Sequence, residues 1–332
     1  MSIDVSLADD ADEWNELVDR SQQRTPFHRF EALDIFTDYS NTTLYPFVGY
    51  KGQEAVGLFP VFSLSRGPIQ AAFSPPPDLK ISYLGPTLLN QGKAKQRKAE
   101  KRHRRFNEAV YEEIEHEINP QYVHVRTGTE YTDPRPFIWS GFDITPRYTY
   151  EIDISRSPDE LFMTFSSDVR RNVRRTNEDS YELLEGRADD IEEIITNVQD
   201  RHAEQGITYD VPPSFASDLY RKLPEGTVRG YVCRSDGVFV GGLITLEDDE
   251  TIYRWQSVND RDHDVPATDI LDWHVIQDAR NRGIERYDLV GANNRRICKY
   301  KSKFNPDVRS YFSLERSSKT TNVLKSLYDR FR

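Results

Sequence analysis

The chain of 332 residues is 37% hydrophobic and 30% charged, with a net charge of −11. That is more than one core usually supports, so two globular domains are expected and a disordered or fibrous chain is excluded. Cys233 and Cys298 lack metal-type spacing, which excludes a disulfide framework and a cysteine-rich zinc site. The acidic N-terminus and the lack of a long apolar run exclude a signal peptide and a membrane span, giving an expected cytoplasmic location. Arginine outnumbers lysine 32 to 12, and with the Asp excess this reads as mild adaptation to high salt.

In chain order, the periodicity predicts an amphipathic helix ending at Arg20 and then a hairpin, VGYKGQEAVGLFPVF, over 48–62. A strand ISYLGPTLL (81–89), a helix over 93–118 and a short strand at Tyr122–Val125 follow. Ser155-Arg-Ser-Pro158 marks a boundary, with Ser and Pro opening a helix, and divides the chain into domains 1–154 and 155–332. The second half repeats the order. A helix ends near Arg201, a hairpin VCRSDGVFVGGLITL covers 232–246, a strand covers 251–257, a helix 267–280 and a strand 287–290, before a last helix at 323–331. Each half is thus an α/β unit with a mixed, mainly antiparallel sheet flanked by helices.

Several residues carry candidate chemistry. The segment KAKQRKAEKRHRR holds Lys93, Lys95, Arg97, Lys98, Lys101, Arg102, Arg104 and Arg105 against one glutamate, so its net +7 leaves −18 for the rest of the chain. Such a stripe attracts tRNA or an anionic membrane face, or is simply a solvated helix start. In DELFMTFSSDVRRNVRRT, read as one helix, Arg170 with Arg174 and Arg171 with Arg175 lie one turn apart and suit phosphate; the alternative is a solvated face paired with Glu178 and Asp179. Gly241 and Gly242 permit close approach of a ligand to the backbone, or mark a bulge. Trp255, with Tyr253, lines an acceptor cleft or belongs to the core. Asp264, Asp269 and His263 are proton-acceptor candidates, with a helix-cap role the stronger reading for Asp269. Lys299, Lys301 and Lys303 alternate along an expected extended segment and so share one side, as an anion site or as guards of an edge strand. The histidines show no HxxxH or HExxH spacing, so no metal is expected.

The order of elements in the second half, with Ala279, Gly283, Tyr287-Asp-Leu289, Gly291 and Tyr300-Lys-Ser-Lys-Phe304, resembles the FemAB-type peptidyltransferases and the related CelD/BcsL-like acetyltransferases. The resemblance covers most of 155–315 and, more weakly, the first half. It implies two tandem GNAT domains and an enzyme of the acyltransferase class. The donor would be acyl-CoA or aminoacyl-tRNA with no tightly bound cofactor, and the acceptor an amine on a small-molecule or lipid-linked glycan or peptide precursor of the cell envelope. It also implies that Lys301 or Lys303 binds acceptor phosphate or steadies the oxyanion, and that the strand at 240–245 splays to offer its N–H groups to the carbonyl. The Gln/Arg-x-x-Gly-x-Gly/Ala loop that holds the pyrophosphate of coenzyme A in ordinary GNAT enzymes is missing after both hairpins. A CoA-dependent N-acetyltransferase and a non-catalytic polyanion-binding tandem GNAT are the alternatives, and peripheral attachment at the inner membrane face accompanies the cytoplasmic expectation.

Overall fold

The computed structural model describes residues 2–90, 92, 95–176, 180–260 and 262–317. The chain forms two compact units, one of residues 1–147 with the segment from Ser310 onward, the other Tyr148–Arg309. The expected helix at 323–331 lies outside the described residues.

Unit 1 begins with β1 (Asp4–Leu7), α1 (Ala11–Asp19) and α2 (Phe30–Ser40), followed by the hairpin β2 (Thr43–Lys51) and β3 (Glu54–Arg66). Next come β4 (Ile69–Ser74), the short β5 (Thr87–Leu88), α3 (Gln96–Glu117), β6 (Tyr122–Arg126) and α4 (Arg135–Trp139). Two strands then run across the unit boundary: β7 (Asp143–Asp153), and β13 (Asp307–Ser317) at the end of the described chain. The sheet of unit 1 runs β1-β2-β3-β4-β6-β13, with β5 on β3, and only the β4–β6 pair is parallel. The long helix α3 makes that parallel crossover and buries Phe106, Val110 and Ile114 against the sheet.

Unit 2 contains α5 (Pro158–Thr164), α6 (Ser167–Arg175), β8 (Glu182–Gly186), α7 (Ala188–Ala203) and α8 (Pro213–Lys222). The hairpin β9 (Val228–Ser235) and β10 (Val238–Glu247), then β11 (Thr251–Asn259), α9 (Ala267–Asn281), β12 (Arg286–Asp288) and α10 (Arg295–Lys301) complete it. Its sheet runs β8-β9-β10-β11-β12-β7, again with one parallel pair, β11–β12, made by the crossover helix α9. The strand order and directions therefore repeat between the units, as the faint internal repeat implied.

Four sequence expectations change. The units part after Arg147, not after residue 154, because residues 151–153 of β7 pair with β12, while residues 313–317 of β13 pair with β6. Each unit thus takes its outermost strand from the other half of the sequence. The strand after the first hairpin is Ile69–Ser74, reached by a turn at Gly67 with φ +60°; the apolar run 81–89 is instead buried loop up to Gly85-Pro86, with only Thr87–Leu88 of it forming the short β5. The arginine-bearing helix is two helices, since Phe165 and Ser166 are extended and the Ser166 amide bonds to the Lys303 carbonyl. Finally, residues 299–303 are not extended. Asn294 caps α10 by accepting from the amides of Arg296 and Ile297, and a short 3₁₀ turn over Ser302–Phe304 follows. At roughly 100° per residue, Lys301 then points about 160° away from both Lys299 and Lys303, so the three do not share one side. The start of α5 is as read, with Ser157 accepting from the Glu160 amide and Pro158 opening the helix.

Candidate active site

In unit 2 the parallel ladder between β11 and β12 holds three residue pairs, Thr251 with Arg286, Ile252 with Tyr287 and Tyr253 with Asp288. Beyond Asp288 the chain turns away through Val290 (φ +48°) and Gly291 (φ +87°), and the Leu289 amide bonds to Tyr150 of β7. Residues 254–259 of β11 keep β10 as their sheet partner and leave a wedge on their other edge. Among the described residues the edge without a neighbouring strand is here, and not on β10, which is paired to both neighbours. Gly241 and Gly242 serve packing: a Cβ on Gly241 would lie 2.7 Å from Ala267 of α9, and one on Gly242 would lie 2.4 Å from Ile194 of α7. The register shift between Phe239 and Gly241 makes this a bulge.

Beside the wedge is a buried polar network. Asp272, one turn after Asp269 on α9, is fully buried and accepts from Arg254 Nε at 2.7 Å, from the Tyr287 hydroxyl at 2.6 Å and from the Tyr300 hydroxyl at 2.8 Å. Burial first, and then the charge of Asp272, hold both phenols far above their ordinary range, so they act as neutral donors. Three donors on one carboxylate offset the desolvation that would otherwise forbid a charge there. Asp269 is also buried. Its carboxyl is lifted by burial, and Asn172 of α6 donates to it at 2.6 Å, so it joins α6 to α9 and does not cap the helix.

Lys301 leaves α10 pointing inward at 7% exposure, with Nζ 2.7 Å from the Val290 carbonyl and 3.0 Å from that of Gly291. It pins the turn that opens the wedge. An ammonium has three N–H donors, and the third has no partner among the described residues. Burial, then the neighbouring Arg254 charge, lowers the group from 10.5 to about 8. Lys303 lies elsewhere: it reaches Asp168 at 2.6 Å, and its hydrogen bond, followed by that of Ser166, keeps the Asp168 carboxyl well below the usual range.

The remaining sequence candidates divide. Arg170 and Arg174 share a face on α6, each reaching Met163 Sδ, with Arg174 5.0 Å over the Phe162 ring; Arg171 and Arg175 are exposed. None of the four is paired with a carboxylate among the described residues, and the proposed partners Glu178 and Asp179 lie outside them. Trp255 is buried edge-on against Phe215, in the core and not in a cleft. Asp264 is exposed in the loop before α9, and His263 is tied to Asp260 at 2.9 Å. That loop places Asp260, Asp262 and Asp264 just ahead of Asp269 in the first turn of α9. In unit 1, Lys93 lies outside the described residues, Arg102 pairs with Glu54 and Arg104 with Glu108, while Lys95, Arg97, Lys98 and Lys101 are exposed. Arg105 is half-buried. Both cysteines are free. Among the described residues, one exposed group, Glu113, His116 and Glu117 on α3, brings three potential metal-ligand atoms within 4.8 Å. No helix among the described residues is long and apolar enough to cross a membrane.

The sequence reading missed Asp272, Arg254 and Asn172. Their signals were an arginine between aromatic residues in an apolar strand, and two acids three apart in the apolar stripe of α9.

Residues 164–302, within the unit that carries the wedge, match the acetyltransferase (GNAT) domain family. The whole fold is similar to that of FemX, with a TM-score of 0.72 at 11% identity over 94% of this chain and 97% of that one. It is also similar to a C-terminal domain assigned to a lysylphosphatidylglycerol synthetase from Agrobacterium fabrum (TM-score 0.57, 12% identity, 96% of each chain). L-PGS from Bacillus licheniformis gives a TM-score of 0.55 at 11% identity, over 97% of this chain and 96% of that one. No curated protein sequence matches this chain.

Proposed function

We propose that this chain, whose residues 164–302 match the acetyltransferase (GNAT) domain family and whose fold is similar to that of FemX, is a FemAB-like tandem GNAT enzyme that transfers an aminoacyl group to an amine of a cell-envelope glycan or peptide precursor in the wedge of unit 2. The observation that carries the reading is the edge of β11 that β12 leaves after Tyr253, with no strand on that side of residues 254–259 among the described residues, beside an ammonium with one donor to spare. Attack of an amine on an ester or thioester carbonyl builds negative charge on oxygen. Main-chain N–H groups and a protonated Lys301 at that point stabilise the developing charge more than the ground-state carbonyl, which is what lowers the barrier. The amine loses its proton as the tetrahedral intermediate collapses to amide and the leaving oxygen or sulfur takes one up. Lys301 thus supplies charge stabilisation and the turn at 290–291 supplies placement. Arg254, Tyr287 and Tyr300 position through Asp272.

The loop ahead of α9 favours an aminoacyl ester over coenzyme A. A helix N-terminus attracts phosphate when its approach is neutral or basic. Here three carboxylates of the loop, Asp260, Asp262 and Asp264, oppose a pyrophosphate and attract the ammonium of an aminoacyl group. The exposed arginines of α6 suit the phosphates of a nucleotide-sugar or lipid-linked acceptor. The neighbours with an aminoacylated lipid in their name fit the same chemistry.

The test is transfer of radiolabel to an amine-bearing envelope precursor, from a charged tRNA pool and from acyl-CoA, with wild type and Lys301→Met. The expected result is transfer from the tRNA pool, lost in the variant. Transfer from acyl-CoA alone would replace the aminoacyl reading with a CoA-dependent acetyltransferase.

A further inference from the structure

The N-terminal half of α3 combines features that a helix in water alone would avoid. It opens on Lys95 without a side-chain cap and has no acid in its first turn, and Lys95, Arg97, Lys98 and Lys101 are exposed there without an ion pair among the described residues. Cations gathered at the positive end of a helix dipole repel it and one another, so the arrangement favours an anion brought from outside.

A second observation identifies the kind of anion. Arg135, at the start of α4, bonds to Glu100 of α3 at 2.7 Å and lies 5.8 Å from the Trp139 ring, so the end of α4 is tied to the basic turns. There Ile138 and Trp139 are 52% and 58% exposed. Of the four tryptophans, Trp14 and Trp255 are buried and Trp273 is half-buried, which leaves Trp139 as the exposed one. An indole and a branched aliphatic side chain side by side in water, next to four cations, is the chemistry of a bilayer interface. The indole sits at headgroup depth, the aliphatic group enters the acyl boundary and the lysines meet acidic headgroups. A nucleic acid has no use for Ile138, and a long polyanion would have to pass a remainder of the chain carrying net −18.

We propose that the basic turns of α3 and the end of α4 form a docking surface for an anionic lipid bilayer, with Trp139 and Ile138 inserted and Lys95, Arg97, Lys98 and Lys101 facing the headgroups. The surface belongs to unit 1 and does not depend on the transfer chemistry of unit 2.

The experiment uses the full chain with phosphatidylcholine vesicles and with vesicles partly replaced by phosphatidylglycerol, read by co-sedimentation and tryptophan emission. Binding to the anionic vesicles alone is expected, weakening with salt and accompanied by a blue shift of the emission. At about 1 kcal/mol per cation near such a surface, the fourfold variant Lys95→Ala, Arg97→Ala, Lys98→Ala, Lys101→Ala loses roughly 1,000-fold in partition. Trp139→Phe keeps binding but loses the blue shift, which guards against a folding defect in the fourfold variant. Equal binding to neutral vesicles, undiminished binding by the fourfold variant, or binding to bulk tRNA without vesicle association overturns the proposal, the last assigning the surface to nucleic acid.

Discussion

In unit 1 the parallel pair β4–β6 is continued by the chain itself. Residues 75–90 double back, Leu84 bridges to Thr127 and its amide bonds to the Arg126 carbonyl, and the Gly85 amide bonds to Ser74 Oγ. Buried His28 bonds to the Gly85 carbonyl at 3.2 Å, and Leu79, Ile81, Tyr83 and Leu84 fill the space with apolar side chains. In unit 2 only seven residues of sequence separate β11 from α9, and the corresponding wedge is edged by β11 beyond its ladder with β12 and by a buried charge network. One topology thus gives a sealed copy and an open one, and loop length decides which. A strand pair that splays leaves N–H and C=O groups that must find partners; unit 1 satisfies them with its own chain, and in the proposed function those of unit 2 meet the substrate.

Four variants and a pH series sharpen that contrast. The largest effect is expected from Asp272→Ala, which strands Arg254 and two phenols in the interior of unit 2; a loss of about 3–5 kcal/mol in denaturant unfolding is predicted. Lys301→Met should retain a folded chain while lowering kcat by roughly 100- to 1,000-fold, the usual consequence of removing one oxyanion donor. In the sealed copy, Gly85→Ala places a side chain at φ +75° with its Cβ 3.1 Å from the Arg126 carbonyl. It should cost about 1–3 kcal/mol of stability and leave turnover of the folded protein unchanged. A fall in turnover comparable with that of Lys301→Met would move the chemistry to unit 1.

The pH dependence separates the two roles of Lys301. Its folded value, about 8, lies below the ordinary 10.5, so between these values the unfolded chain holds the proton and the folded chain does not. The contribution of Lys301 to stability therefore rises with pH across that window, while kcat/KM falls above about pH 8 as the oxyanion donor loses its charge. Lys301→Arg, which stays charged, should abolish the falling limb. The smallest effect is expected of Lys303→Ala, whose half-exposed pair with Asp168 is worth about 1 kcal/mol or less.

The repeat, the hairpins, the crossover helices and the α5 cap were legible in the sequence because each rests on local periodicity or on a capping residue. What was not legible depends on distance along the chain. The exchange of β7 and β13 between the units leaves no local mark, and the run 81–89 has strand composition but folds as a plug because of where Ser74 and Thr127 stand. At the candidate site, Lys301 was singled out from composition and family likeness, although its inward direction follows from a helix that Asn294 caps and that an extended reading of KYKSKF conceals. Trp255 and the Gly241-Gly242 pair had the composition of a ligand cleft and proved to be packing positions. Arg254 and Asp272, eighteen residues apart, acquire meaning only once α9 lies across β11.

Hydrogen–deuterium exchange with and without a non-hydrolysable aminoacyl-ester donor analogue tests the central claim most directly. The amides within 254–259 that point away from β10 should exchange rapidly in the free protein and become protected when the donor analogue binds, with those of Ser74–Arg126 unchanged. Protection around Gly85 and Thr127, with 254–259 unaffected, would contradict the assignment of the reaction to the open wedge.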